Sequence, residues 1–177
     1  MGGKKAIFLD RDGVINEIII RNGKLSVPYS LKEFKILPGV LEAINLFKKT
    51  GFLCVVVTNQ PEIGSGDFSN EDLKSIHDFM KDTLSLDTVY FCPHNLDGRC
   101  DCRKPKPGMI RRAVEEFGID LSKSFIIGDR WRDMEMGKAV GCRTILINSE
   151  AMRLDNRIVN ADFTADNLLE AAKLITK

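Results

Sequence analysis

Short apolar runs alternate with longer amphipathic segments along the chain. Each run has the length of a strand buried on both faces of a sheet, and the runs lie at 6–10, 53–59, 88–92, 124–129 and 143–148. The other segments carry apolar residues at helical spacing, and they lie at 38–51, 69–84, 106–119, 130–141 and 165–177. This alternation predicts an α/β fold, a Rossmann-like three-layer sandwich with a central parallel sheet.

Local signals mark where some of these elements begin or turn. Ser69 followed by Asp72 resembles a capping box at the start of the second helical segment. The pair Asn22–Gly23 lies within the irregular stretch 13–37 and predicts the turn of a small hairpin.

Length and charge narrow the classes of protein that fit. The chain has 177 residues, which suits a single domain over 1–177 without a separate cap domain. It carries 26 basic and 25 acidic residues, for a formal net charge of +1, so we expect no nucleic acid or membrane surface as its main partner. The start of the chain lacks the apolar core of a secretory signal. We therefore expect a cytoplasmic monomer whose thiols stay reduced.

Polar and charged residues close each of the first four predicted strands. In open parallel sheets, ligands bind beyond the carboxyl ends of the strands, so these residues are expected to meet at one edge. They are Asp10 and Asp12 for the first strand, Thr58, Asn59 and Gln60 for the second, Arg103 and Lys104 for the third, and Gly128, Asp129 and Asp133 for the fourth.

These side chains suit the chemistry of a phosphoryl group. Acids at neighbouring strand ends repel one another unless a cation lies among them, and oxygen ligands suit magnesium. Magnesium and Lys104 would neutralise the phosphoryl oxygens while a carboxylate attacks phosphorus. A second carboxylate would protonate the leaving oxygen and then activate water.

The same residues form motifs that resemble those of the haloacid dehalogenase (HAD) superfamily of phosphatases. The motifs are DRDGV at 10–14, TN at 58–59, Lys104 and GDRWRD at 128–133, in the order found in that superfamily. The resemblance implies that Asp10 is the catalytic nucleophile and Asp12 the general acid/base. It also implies that Thr58 binds the phosphoryl group and that Lys104 stabilises it.

The resemblance also implies a Mg2+ site. Its ligands would be Asp10, Asp129 and the backbone carbonyl of Asp12. Asp133 would support these ligands from behind.

A second metal site is predicted in the loop 92–102. Its pattern is C-x-H-x5-C-x-C, formed by Cys92, His94, Cys100 and Cys102. Three thiolates and one imidazole complete the tetrahedral shell of Zn2+, so the site is expected to be structural. Such a clamp would hold in place the loop that carries Arg103 and Lys104.

The remaining cysteines and the second histidine have simpler interpretations. Cys54 and Cys142 are predicted to be small core residues. His77 lies on the helical segment 69–84 and is predicted to be a surface or packing residue.

Within the superfamily, the zinc loop resembles a branch whose members act on heptose 1,7-bisphosphate or on histidinol phosphate. DRDGVIN, LPGVLEAI and KPKPGM favour the heptose substrate, with loss of its 7-phosphate. The short spacing between His94 and Cys100 favours histidinol phosphate, and PEIGSGDFS at 61–69 departs from the SGIARG-type stretch of the heptose members. A small sugar phosphate is therefore the expected substrate, with histidinol phosphate or another phosphomonoester as the alternative.

Selection of the substrate is expected to come from loops around an open pocket. Arg103 is predicted to bind a second anionic group, because its planar fork suits phosphate, and Arg130 is the next candidate. Asn59 is a further candidate substrate-binding residue. A non-catalytic, zinc-braced binding domain is a third interpretation, against which the intact set of acids argues. The loops concerned are 15–30, 60–68 and 92–103.

Overall fold

The protein is described by a computed structural model that covers residues 2–95, 99–154, 157 and 159–177. Its centre is a six-stranded parallel sheet in the order β5-β4-β1-β6-β7-β8. Two further strands, β2 and β3, form a separate antiparallel hairpin. In chain order, the strands are β1 Lys5–Leu9, β2 Ile19–Arg21, β3 Lys24–Ser26, β4 Phe52–Asn59, β5 Thr88–Cys92, β6 Phe125–Gly128, β7 Arg143–Ile147 and β8 Phe163–Ala165.

Helices cover both faces of the sheet. They are α1 Val40–Lys49, α2 Pro61–Ser65, α3 Asn70–Leu84, α4 Gly108–Phe117, α5 Trp131–Val140, α6 Glu150–Leu154 and α7 Leu168–Ile175, with a 3-10 turn at Leu121–Lys123. Buried residues of α1, α3 and α7 share one hydrophobic core with one face of the sheet, and those of α4 and α5 share another core with the opposite face. The predicted three-layer α/β fold is therefore confirmed.

The central strand β1 shows why both faces must be covered. Its side chains alternate, so that Ile7 and Leu9 lie in one core while Ala6 and Phe8 lie in the other. All four are fully buried. A strand with no polar face is stable only between two layers of helices.

The hairpin and the helix cap agree with their local signals. Asn22 and Gly23 both have positive φ, at 50° and 74°, as a two-residue hairpin turn of this kind requires. The Ser69 hydroxyl accepts a hydrogen bond from the backbone N–H of Asp72 at 3.0 Å, which caps α3.

Four short elements were not predicted from the pattern. They are the helices α2 and α6, the 3-10 turn and the edge strand β8. Each has five residues or fewer, which is too short for a period of 2 or 3.6 to emerge.

Within the described ranges, the structure has no helix long and apolar enough to span a membrane. Residues 96–98 of the predicted zinc loop 92–102 lie outside the described residues.

Candidate active site

The carboxyl ends of β1, β4 and β6 open into one cavity of about 240 Å3. These strands are neighbours in the sheet, so the residues that follow them meet at the same edge. The predicted catalytic, substrate-binding and magnesium-binding residues all line this cavity: Asp10, Asp12, Thr58, Asn59, Arg103, Lys104, Asp129 and Arg130.

Lys104 bridges two carboxylates at the floor of the cavity. Its Nζ lies 2.7 Å from Oδ1 of Asp10 and 2.7 Å from Oδ1 of Asp133. Burial alone would lower the pKa of Lys104, but the two carboxylates outweigh burial and raise the pKa above its usual value. The ammonium group is therefore charged at physiological pH and lies beside Asp10.

Three buried carboxylates crowd around this lysine. Oxygens of Asp10, Asp129 and Asp133 lie within 4.8 Å of one another. Burial raises the pKa of Asp10 to about 7. The charges of Asp133 and Asp129 also raise this pKa, and the charge of Lys104 lowers it. Burial, followed by the charge of Asp133, raises the pKa of Asp129 to about 6. One lysine does not balance three acids, so the cluster favours a further cation.

Asp129 has an oxygen that suits such a cation. Its Oδ2 accepts a hydrogen bond from the Ser149 hydroxyl at 2.7 Å. Its Oδ1 is buried and has no hydrogen-bond partner among the described residues. A buried carboxylate oxygen without a donor is costly unless a metal ion binds it. The donor set therefore fits a hard divalent cation.

The loop after β1 approaches Asp129 so closely that only glycine fits at position 13. Gly13 has a φ of 85°, and a Cβ placed on it would lie 2.3 Å from Oδ2 of Asp129. The glycine of DRDGV is thus required both by its backbone conformation and by the neighbouring carboxylate.

The Asp12 carboxylate is held by several donors. Arg11 donates from Nε to both oxygens at 3.2 Å and from Nη2 to Oδ1 at 3.0 Å. Asn16 Nδ2 donates to Oδ1 at 3.0 Å, and Gln60 Nε2 donates to Oδ2 at 2.8 Å. Gln60 Nε2 also lies 3.0 Å from the Thr58 hydroxyl, which links the two motif residues.

The guanidinium of Arg11 is itself held in place by Gln60 and His77. It is fully buried, its Nη2 donates to Oε1 of Gln60 at 2.9 Å, and its Nη1 lies 3.4 Å from Nε2 of His77. Burial, reinforced by the charge of Arg11, lowers the pKa of His77 to about 3. The imidazole is therefore neutral and accepts from Arg11. His77 is a packing residue, as one of its predicted alternatives has it, and it also orients this guanidinium.

The side chain of Asn59 forms two hydrogen bonds with the backbone of Lys104. Its Oδ1 accepts a hydrogen bond from the backbone N–H of Lys104 at 3.0 Å, and its Nδ2 donates to the carbonyl oxygen of Lys104 at 3.4 Å. The side chain at the end of β4 thus fixes the backbone of the residue whose Nζ lies beside Asp10.

The Cys/His cluster forms in the structure. Cys92 Sγ lies 3.5 Å from His94 Nδ1 and 3.7 Å from Cys100 Sγ, and Cys102 Sγ lies 3.4 Å from His94 Nδ1. The four ligand atoms lie within 4.8 Å of one another. Tetrahedral Zn–S bonds of about 2.3 Å place two sulfurs roughly 3.8 Å apart, so the cluster could hold a metal ion of this kind.

The cluster is connected to the cavity through its neighbours. Arg103 Nη1 donates to the carbonyl oxygen of His94 at 2.6 Å, and Lys106 Nζ donates to that of Cys100 at 2.6 Å. Cys54 and Cys142, the two cysteines outside the cluster, are buried in the two cores as predicted.

Sequence reasoning missed several residues that shape the site. They are Arg11, Asn16, Glu62, Arg132 and Ser149. Burial, followed by the charges of Arg103, Arg130 and Arg157, lowers the pKa of Arg132, so these guanidinium groups lie near one another. Arg132 could have been predicted as a site residue, since it lies within the motif GDRWRD at 128–133.

Comparisons with known proteins agree with this geometry. A family model described as HAD-hydrolase-like matches residues 101–171. A structure of D,D-heptose 1,7-bisphosphate phosphatase from B. bronchiseptica, complexed with magnesium and phosphate, superimposes with a TM-score of 0.85. It is 31% identical to this chain, and the match covers 97% of both chains. The fold and the site thus define a phosphatase of the HAD superfamily.

Curated relatives narrow the class further. The D-glycero-beta-D-manno-heptose-1,7-bisphosphate 7-phosphatase of Pasteurella multocida is 36% identical over 97% of this chain and 97% of its own length. The enzyme of the same name from Escherichia coli K12 is 34% identical over 97% of this chain and 94% of its own length. The chain belongs to the D-glycero-beta-D-manno-heptose-1,7-bisphosphate 7-phosphatase family of HAD phosphomonoester hydrolases.

Proposed function

We propose that the protein removes the 7-phosphate of D-glycero-D-manno-heptose 1,7-bisphosphate, a step in nucleotide-activated heptose biosynthesis. One observation carries the proposal. Asp10 and Asp12 open into the cavity that Thr58 and Lys104 also line. A nucleophilic carboxylate, a second carboxylate, a hydroxyl and an ammonium group are the groups needed to transfer a phosphoryl group to a carboxylate and then to water.

In the proposed reaction, a carboxylate oxygen of Asp10 attacks phosphorus and the bond between phosphorus and the sugar oxygen breaks. Asp12 gives a proton to the departing oxygen, and the product is an aspartyl-phosphate on Asp10. Asp12 then takes a proton from water, and the water oxygen attacks this phosphorus. The bond between phosphorus and the Asp10 oxygen breaks, which releases inorganic phosphate and restores the Asp10 carboxylate. Lys104 and Thr58 bind the phosphoryl oxygens throughout.

Magnesium is the proposed cofactor of this site. Asp10, Asp129 and the backbone carbonyl of Asp12 would hold it, and Asp133 would support the site through Lys104. Oδ1 of Asp129, which has no hydrogen-bond donor among the described residues and only a distant ion pair with Arg130 at 3.9 Å, and the crowding of the three acids favour this assignment. The ion supplies positive charge that offsets the repulsion between an anionic nucleophile and an anionic phosphate.

Zinc is the proposed occupant of the Cys/His cluster. Cys92, His94, Cys100 and Cys102 offer a complete soft donor set and leave no position for a substrate, so the role is structural. The bond from Arg103 to the His94 carbonyl favours a clamp that holds the edge of the substrate cavity.

Arg103 and Arg130 are the proposed contacts for the second phosphate of the substrate. Both line the cavity, and guanidinium groups bind phosphate in a bidentate manner. Asn59 is assigned to the substrate site through its two hydrogen bonds to Lys104.

Phosphate release from heptose 1,7-bisphosphate and from histidinol phosphate tests the proposal. We expect a higher kcat/KM for the heptose substrate, with activity that depends on added magnesium. A higher kcat/KM for histidinol phosphate would contradict the assignment and support the alternative that the short zinc loop favours.

A further inference from the structure

Glu62 is a half-buried acidic residue beside the reaction centre that the mechanism does not use. Glu62 lines the cavity that holds Asp10 and Asp12. Its Oε2 is buried and accepts no hydrogen bond from any described residue. A carboxylate oxygen in this state loses its water without receiving a donor in exchange. A hydroxyl group that enters the cavity and reaches this carboxylate would supply a donor.

The position of Glu62 is fixed by its backbone and by the helix that carries it. The Glu62 carbonyl oxygen accepts hydrogen bonds from the N–H groups of Asp67 at 3.0 Å and Phe68 at 3.2 Å. Gly64, two residues further along α2, meets the Pro93 carbonyl so closely that a Cβ would lie 2.4 Å from it. The helix is thus docked against the start of the Cys/His loop, and Glu62 is part of a preformed wall.

Glu62 also lies where the reaction cavity meets a second, outer cavity of about 560 Å3. Pro61 and Glu62 of α2 and Leu25 and Ser26 of the hairpin line both spaces. The outer cavity adds the neutral polar side chains of Asn22, Tyr29, Ser65 and Asn95 and the charged side chains of Arg21, Lys24 and Asp67. A substrate whose phosphorus lies at Asp10 and whose body extends outward by this route would pass Glu62.

The charges around Glu62 indicate which chemical groups it accepts. Burial raises the pKa of Glu62 and the charge of Asp12 adds to this effect, while a hydrogen bond from its own backbone N–H and the charges of Arg11 and Arg103 oppose it. A phosphate placed here would meet a repelling carboxylate. Hydroxyl groups would instead supply donors without adding charge.

We propose that Glu62 is a specificity-determining residue that accepts hydrogen bonds from hydroxyl groups of a polyhydroxylated phosphate ester. The inference rests on the proposed function, because a heptose carries such hydroxyls next to the reacting phosphate. It assigns the selection of the sugar to α2, a different element from those that supply Asp10 and Lys104.

The test compares two phosphate esters that differ in hydroxyl groups, sorbitol 6-phosphate and n-hexyl phosphate. We expect Glu62→Ala to lower kcat/KM for sorbitol 6-phosphate roughly 10- to 100-fold more than for hexyl phosphate, the effect of losing a hydrogen bond to a charged group. The loss is expected mainly in KM. Glu62→Gln keeps an acceptor oxygen and should lose less.

Glu71→Gln is the matched control, because Glu71 is exposed on α3 and lines neither of the two cavities. It should leave both rate constants unchanged. An equal fall for both esters in Glu62→Ala, or no fall for either, would overturn the inference. Failure of the proposed function is a separate result, in which the wild type prefers histidinol phosphate to heptose 1,7-bisphosphate. In that case, the ratio of sorbitol to hexyl ester still decides the role of Glu62.

Discussion

The fully buried guanidinium of Arg11 donates hydrogen bonds to both carboxylate oxygens of Asp12, its immediate neighbour in the chain. The arrangement fixes the direction in which Asp12 faces the cavity. Because Asn16 and Gln60 donate to the same carboxylate, Asp12 has one preferred orientation before any substrate arrives.

We predict that Arg11→Lys lowers kcat for a sugar phosphate roughly 10- to 100-fold, since a lysine cannot reach both oxygens of Asp12 and Gln60 together. The loss should be smaller for p-nitrophenyl phosphate, whose leaving group needs no proton. Arg111→Lys, at an exposed position of α4, is the control and should behave as the wild type. If both substrates slow equally in Arg11→Lys, Arg11 does not act through Asp12.

Removal of the proposed nucleophile gives a second prediction. Asp10→Asn should lower kcat by at least roughly 1,000-fold, because a neutral amide cannot form the aspartyl-phosphate. Circular dichroism should show an unchanged fold, since asparagine has the same size. Asp82→Asn, on the exposed side of α3, should keep full activity. Magnesium-dependent phosphate release retained by Asp10→Asn would exclude Asp10 as the nucleophile.

The crowded acids make a prediction about pH and stability in magnesium-free buffer. The pKa of Asp129 is about 6 in the folded protein and 3.8 as its ordinary value, so the folded state holds a proton that the unfolded state has released. The folded state therefore loses stability as pH rises from about 4 to about 6. The asparagine side chain of Asp129→Asn does not titrate, so the Tm of this variant relative to that of the wild type should rise by roughly 6 to 12 °C across that window.

Thermal denaturation of both proteins between pH 4 and pH 7 measures this gain. Adding magnesium at pH 7 should raise the Tm of the wild type and have much less effect on Asp129→Asn, which lacks one carboxylate of the cluster. A difference in Tm that stays constant with pH would show that Asp129 is not destabilised by its charge.

Zinc content tests the second metal site. The purified protein should carry about one zinc ion per chain, because its four donors complete a tetrahedral shell. Cys102→Ser should lower the zinc content and also lower the Tm. Cys54→Ala is the matched control, since Cys54 is buried in the core on the opposite face of the sheet from Cys92, and it should retain its zinc. Zinc well below one per chain in the wild type would count against the site.

The sequence was sufficient to predict which residues meet in the cavity, for a simple topological reason. Asp10, Thr58 and Asp129 each lie at the carboxyl end of a strand, and the carboxyl ends of parallel strands share one edge. The Cys/His cluster was equally accessible, because its ligands are close in the chain.

Burial of charged side chains was not accessible from the sequence. Arg11 is fully buried and Glu62 is half-buried, although both residue types usually lie at the surface and nothing in their immediate sequence indicates otherwise. The role of Arg11 depends on Gln60 and His77, which lie 49 and 66 positions away in the chain. For Glu62, the role depends on a cavity wall shared with the hairpin. Such relations arise only when distant segments pack together.

The last residues of β4 have an architectural consequence for this enzyme. Asn59 fixes the backbone of Lys104, and Gln60, the next residue in the chain, links Thr58 to Asp12. The carboxyl end of β4 thus positions both Lys104 and the proposed proton donor Asp12. A shift of β4 by a single residue would misalign every one of these groups together. The hairpin and α2 supply none of these hydrogen bonds, so side chains of these two elements that line the cavity, such as Glu62, can be changed without disturbing the groups that carry out the reaction.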